Sequence, residues 1–270
     1  RIEYGRLFFL WRNSLEGVLA TGHSTADWVA ARGMPSDRVY PFAYFLPDRA
    51  KDLVPTVRAR GPFRFLFVGQ FIARKRLDLL IRALGRLVDR FEFELAVVGS
   101  GPLEMQLRTD AEAALQERVR WIGRLPQTDV PAAMAEADCL VLPSRHDGWG
   151  AVVSEALMTG VPAICSDACG AAAAVRASAV GGVFRTDDEA DLAAHLRRTM
   201  QAGPARPAER DALARWAACL GASAGAEYLL KIIAHRQAGG ARPAPPWAVR
   251  PQDAVKSPVL PDQRSAAILS

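Results

Sequence analysis

Short continuous apolar runs alternate with segments of helical spacing along most of the chain. FRFLFVG, residues 63–69, is apolar almost throughout and ends in Gly69, as expected of a strand buried on both faces. LDLLIRALGRLVDR follows, its apolar positions three and four apart, the spacing of one helix face. The alternation then repeats. FELAVVG reads as a strand, PLEMQLRTDAEAALQE as a helix, RVRWIG as a strand, DVPAAMAEA as a short helix and DCLVLP as a strand. A helix after Trp149 leads to PAICS, then GGVF, then EADLAAHLRRTM. Six short strands alternating with helices predict a doubly wound parallel α/β sheet over residues 63–201. Two more helices, ERDALARWAACL and SAGAEYLLKIIAHR, fill residues 202–238.

The flanks read differently. Residues 1–46 suggest helix, strand, helix: LEGVLA ends as a strand, and GHSTADWVAARG is an amphipathic helix closed by Gly33. Residues 47–62 are a polar, proline-bounded linker, and residues 239–270 are rich in proline and without periodicity, which predicts disorder. The first segment looks like the remnant of an N-terminal domain, because the chain begins with Arg1 in the middle of a pattern.

Composition narrows the function classes. Half of the 270 residues are hydrophobic, enough for a substantial core, and the formal charge is +5. The positive residues are scattered and nearly all arginine, with lysine only at 51, 75, 231 and 256, so nothing supports nucleic-acid binding. Cys139 and Cys165 sit in core-like runs, and the Cys165/Cys169 spacing lacks the partners a zinc site needs. A reduced, cytoplasmic setting and no metal are expected. No apolar run approaches transmembrane length.

In an open parallel sheet, ligands bind beyond the carboxyl ends of the strands. Three segments lie there: VGQFIARKR with Gly69, Gln70, Arg74 and Lys75; VVGSGP with Gly99 and Gly101; and LPSRHDGWG with Asp147. VVGSGPLE resembles a dinucleotide fingerprint, but Glu104 stands where a small residue belongs and no acidic ribose ligand follows, so NAD is rejected. HDGWGAVVSEALMTGVP is more specific. Gly148 and Gly150 bracket a helix start, leaving its first N–H groups open to an anion such as phosphate. Glu155 lies off the apolar face formed by Val152, Val153, Ala156 and Leu157, leaning toward that start. A carboxylate repels phosphate but accepts two bonds from a vicinal diol. The arrangement therefore suits phosphate on the helix start and Lys75, with hydroxyls on Asp147 and Glu155. Singly, each residue has a plainer role: Asp147 a helix cap, Glu155 a solvated helix position, Lys75 a charged loop. His146 reads as a polar neighbour, and His23, His195 and His235 as structural or solvent-facing.

These motifs together resemble the C-terminal, donor-binding domain of the GT-B glycosyltransferases of family 4, retaining enzymes that use nucleotide sugars. DGWGAVVSEALMTGVPAICSD fits that family's two acids with seven residues between them, its glycine pair and its Gly-x-Pro turn. FVGQFIARKRLDLLIRAL, VVGSGP, VRWIGRLP and ADCLVLPS fall in the family's order over roughly residues 60–237. The resemblance implies that Glu155 holds the nucleotide ribose and Asp147 a hydroxyl of the donor sugar. Gly150 and Ala151 would meet the diphosphate beside Trp149, helped by Lys75, and Ile122, Gly123, Arg124 and Leu125 would border the base. It further implies retaining transfer with no obligatory cofactor, to a glycan, lipid or small-molecule acceptor, with peripheral membrane association left open. Two positions depart from the family pattern: the first acid is Asp147 rather than Glu, and Gln70 replaces a usual Arg. The other readings are a nucleotide-sugar-binding module without transfer, or another GT-B enzyme such as a sugar-nucleotide epimerase. With 46 residues before the linker, the chain alone is expected to bind the donor but not to transfer it.

Overall fold

The computed structural model describes residues 6, 9–11, 13–22, 24–48 and 61–248. Most of the expected linker (49–60), the end of the expected tail (249–270) and His23 lie outside them.

All six expected strands form and join one parallel sheet. They are β3 (Phe63–Val68), β4 (Phe93–Val98), β5 (Val119–Gly123), β6 (Cys139–Leu142), β7 (Ala163–Ser166) and β8 (Gly182–Phe184), in the order β5-β4-β3-β6-β7-β8. The chain builds outward from β3 to β5, then returns to place β6 on the other side of β3. The loops leaving β3 and β6 therefore meet at the point where the strand order reverses, the place where open α/β sheets bind ligands.

Side chains along β3 alternate between the two faces. Phe65 and Phe67 pack with Leu95, Val97 and Val141 on one side, under α2 (Leu77–Gly85), α3 (Glu104–Leu115) and α7 (Glu189–Ala202). Leu66 joins Leu140, Leu142 and Ala163 on the other, with α4 (Val130–Ala135), α5 (Ala151–Met158), α6 (Ala172–Ser178) and α8 (Pro207–Ala217). A sheet apolar on both faces needs helices on both, and the chain supplies them.

The N-terminal part holds β1 (Val18–Thr21), α1 (Thr25–Ala30) and a strand the pattern did not predict, β2 (Val39–Phe42), parallel to β1. Pro41 interrupts that run, and a proline reads as a strand breaker away from an edge. The last helix, α9 (Ala222–Ala238), is tied to this part: Leu46 N–H donates to the Leu220 carbonyl at 3.1 Å. Asp48 accepts from Ser223 N–H at 3.2 Å in the first turn of α9, and the Ser223 bonds hold its carboxyl below the ordinary range.

The expectation of disorder from Gly239 onward fails for its first ten residues. Gly239, with φ +76, ends α9, and the chain then crosses back as a strap over residues 239–248. Arg242 stacks 5.0 Å over the Tyr40 ring and donates to the carbonyls of Ser36 and Val39. Trp247 is only 6% exposed. Alanine and proline around these two residues mask a segment anchored at two points.

Close backbone approach at the carboxyl edge generates the first expected outcome. Gly99 has φ +140, and a Cβ there would strike the Gly69 carbonyl oxygen and meet Phe71 Cε1 at 3.2 Å. Gly33 also has a positive φ, +92, but open space around it. Gly33→Ala should cost only the left-handed backbone penalty, about 1–2 kcal/mol, whereas Gly99→Ala should cost clearly more. Urea unfolding of the two variants ranks them, and equal losses would refute the crowding at Gly99.

Candidate nucleotide-sugar site

The loop after β3 runs from Gly69 into a 3₁₀ turn, Ala73–Lys75, and leaves it through Arg76, a buried residue with φ 53. That turn carries Lys75 back along the strand end, where its Cδ would lie 3.8 Å from a Cβ built on Gly69. The loop after β6 comes alongside. Arg145 N–H donates to the Arg74 carbonyl at 2.8 Å, and the Arg74 guanidinium donates to the His146 carbonyl at 2.8 Å. These contacts deliver Asp147 to Lys75. Nζ and Oδ2 are 2.6 Å apart, with side chains 15% and 14% exposed, and Arg74 lies 3.8 Å from the same oxygen. At this burial the pair is only weakly screened by salt.

Behind Asp147, the loop after β7 zips onto the loop after β6. Asp147 N–H donates to the Ala168 carbonyl (3.2 Å), Gly170 N–H to the Asp147 carbonyl (2.9 Å) and Ala171 N–H to the Trp149 carbonyl (2.7 Å). A Cβ on Gly170 would collide with the Gly148 carbonyl oxygen, so only glycine lets the two loops close. The buried Cys169 thiol donates to the Trp149 carbonyl at 3.0 Å. The N-terminal part also touches this turn: a Cβ on Gly22 would lie 2.7 Å from the same Gly148 oxygen.

The turn ends in Gly150, with φ 86, which caps α5 without any side-chain hydrogen bond to its first turn. A Cβ at Gly150 would sit 2.7 Å from Cys169 Sγ and 2.9 Å from Leu142 Cδ2, whereas Gly148 faces open space. The start of α5 is thus uncapped by side chains, a partial positive charge beside Lys75 and Arg74. Glu155, one turn further along α5, is half-buried, and that burial raises its carboxyl above the ordinary range.

On the other side of Lys75 lies a cleft of about 470 Å³. It is lined by Gly69, Gln70, Gly99, Gly101, Arg124 and Leu125, together with Ser100, Pro102 and Val130. Strand-end loops of β3, β4 and β5 build it, which brings together six of the residues expected to bind the donor. Ile122 and Gly123 lie behind the lining; the Gly123 carbonyl accepts from Gly99 N–H at 2.8 Å and sets that turn.

Two expectations change. The Trp149 side chain does not face a ligand: it is 5% exposed, and its Nε1 donates to Ser154 Oγ at 2.9 Å inside the core. A tryptophan between two glycines looks exposed in sequence, but the turn inverts it. The plainer reading of Glu155, a solvated helix position, changes too, since the residue is half-buried. Sequence reading missed Ser100 and Gly170, although each sits just after a predicted strand, where cleft-forming residues belong.

Residues 48–214 match the family described as glycosyl transferases, group 1. The chain is 28% identical over 178 residues to the alpha-D-kanosaminyltransferase of Streptomyces kanamyceticus, covering 60% of this chain and 46% of that protein. It is 32% identical over 210 residues to the GDP-mannose-dependent alpha-(1-6)-phosphatidylinositol monomannoside mannosyltransferase of Mycolicibacterium smegmatis, covering 69% and 52%. The chain thus spans about half the length of these curated relatives. Its fold is similar to the lipopolysaccharide outer core galactosyltransferase WaaB in its apo form, with a TM-score of 0.71 at 21% identity over 81% of this chain and 61% of that one.

The raised Glu155 carboxyl sets a stability signature. A carboxyl whose folded pKa lies above its unfolded value costs stability at neutral pH, and the cost fades as pH falls through the folded pKa. Glu155→Gln should therefore raise the thermal midpoint of the ligand-free protein at pH 7, and the advantage should shrink in acid. A variant no more stable than the parent at pH 7 would contradict the burial of the charge.

Proposed function

The chain belongs to the glycosyl transferases of group 1, and on that premise we propose that its carboxyl-edge crevice holds a nucleotide sugar for retaining transfer. The observation that carries this reading is the Lys75–Asp147 pair, a cation and an anion delivered by the loops on either side of the β3/β6 switch point. The nucleoside occupies the cleft between Gly69, Gly99 and Leu125, with Arg124 at its rim. The diphosphate lies at the α5 start, taking Lys75 and Arg74 as counterions. Lys75 is balanced by Asp147 before the ligand arrives. As the diphosphate draws the ammonium, the Asp147 carboxylate is released to accept from a donor-sugar hydroxyl. Glu155 accepts from the ribose diol.

In the transfer, the bond between the sugar and the diphosphate breaks and its electron pair leaves on the diphosphate. The acceptor oxygen forms the new bond, and its proton passes to a departing diphosphate oxygen. Charge grows on the leaving oxygens, where Lys75 and the helix start are already oriented, so little reorganisation is needed. No cofactor is required in this reading. The acceptor is a glycan, a lipid or a small molecule, reached at the bilayer surface if it is a lipid. Among the described residues, no helix is long and apolar enough to cross a membrane. The four cysteines are free thiols, which suits a reducing, cytoplasmic setting.

Calorimetry with UDP, GDP and ADP, each beside its free nucleoside, tests the assignment. At least one diphosphate should bind. Lys75→Ala should weaken that diphosphate more than its nucleoside, because the nucleoside offers no charge. Glu155→Gln should weaken both by about 1–3 kcal/mol, the scale of a hydrogen bond to a charged group. Failure of all three diphosphates to bind the folded chain would sink the proposal, and equal losses on Lys75→Ala would remove Lys75 from diphosphate recognition.

A further inference from the structure

The strap formed by residues 239–248 joins two places that matter to the site. Arg242 fastens one end to the β2 region, through the carbonyls of Ser36 and Val39 and the Tyr40 ring. At the other end, Pro246–Ala248 form a 3₁₀ turn that drives Trp247 into the core. Its ring centroid lies 5.8 Å from that of Trp149, at an interplanar angle of 56°, and 6.3 Å from that of Phe45.

Trp149 is the middle residue of the Gly148–Gly150 turn, and glycines on both sides give that turn no stiffness of its own. On the backbone side, Ala171 N–H and the Cys169 thiol hold the Trp149 carbonyl. On the side-chain side, Nε1 donates to Ser154 Oγ inside α5, and the ring itself rests against Trp247. The indole is where the turn is fastened to the core, so the packing around it bears on Gly150 and the first N–H groups of α5.

We propose that Trp247 is a positioning residue for diphosphate recognition. Pressed against Trp149, it holds the Gly148–Gly150 turn, and with it the α5 start, in the shape that receives the anion. Removing it leaves a gap beside Trp149, and the turn must then be ordered by the ligand at the moment of binding, which lowers affinity. The nucleoside cleft is built by the loops after β3, β4 and β5, so it is untouched. This rests on the diphosphate lying at the α5 start, as proposed above.

The experiment compares Trp247→Ala and Trp247→Phe with the parent in two measurements. The first is calorimetry with the nucleoside diphosphate that binds the parent, and with its free nucleoside. Trp247→Ala should weaken the diphosphate roughly two- to tenfold, the scale of ordering a mobile segment on binding, and leave the nucleoside unchanged. Trp247→Phe keeps an aromatic ring against Trp149 and should restore most of the loss. The second measurement needs no ligand: amide hydrogen exchange at Val153 and Ala171, which donate to the Gly150 and Trp149 carbonyls, should speed up in Trp247→Ala and return toward the parent rate in Trp247→Phe. A purely structural role would accelerate exchange across the sheet instead, at Leu66 and Leu140 as much as at the α5 start. Unchanged exchange at Val153 and Ala171, or equal losses for diphosphate and nucleoside, would overturn the proposal. If Trp247→Ala does not fold, Trp247→Leu takes its place under the same criteria. Absence of any diphosphate binding by the parent would refute the functional reading above, while the exchange data would still decide whether Trp247 holds the turn.

Discussion

Backbone crowding at the carboxyl edge of the sheet is the constraint on which the rest depends. Four strand-end loops come closer there, in three contacts, than any side chain would permit. Gly99 lies against the Gly69 carbonyl, Gly101 against the Phe71 backbone, and Gly170 against the Gly148 carbonyl. The first two contacts narrow the cleft lined by Gly69, Gly99 and Gly101. The third folds the Asp147 loop back, so that its carboxylate meets Lys75. Parallel strands are evenly spaced, and without such contacts their loops would splay outward. The ion pair, the uncapped helix and the cleft are therefore consequences of where the chain omits side chains as much as of where it places charged ones.

Most of the frame was legible in the sequence because a strand buried on both faces leaves an unbroken apolar run. FRFLFVG and DCLVLP announce themselves in that way, and all six such runs joined the sheet. What escaped notice had its signal cancelled. Pro41 broke the run of β2, and the alanines of α6 carry too little contrast between faces to show a helical period. Along the strap, one tryptophan and one arginine act through contacts with residues some 100 to 200 positions earlier, which no local pattern encodes. The charged set of the site was legible as residue types at strand ends. The pairing within it was not, because whether Lys75 faces solvent or Asp147 depends on two loops meeting across a switch in strand order.

The site shows stability given up for chemistry. Glu155 remains on α5 in a half-buried position where desolvation works against its charge. A neutral residue of that size would be easier to bury. Nearby, Lys75 and Asp147 compensate each other, so the positive charge needed for an anion is kept without standing alone in the ligand-free protein. Burden and compensation sit close together, Glu155 on α5 and the ion pair on the two loops beside its start, while the two main core clusters are apolar on both faces of the sheet.

The Cys169 thiol lies directly beneath Gly150, closer to where a Cβ would be than any ordinary contact allows, and no part of it is exposed. Lifting of the Gly148–Gly150 turn would help to uncover that sulfur, so the rate at which an alkylating agent labels Cys169 in the folded protein would report on motion around the turn.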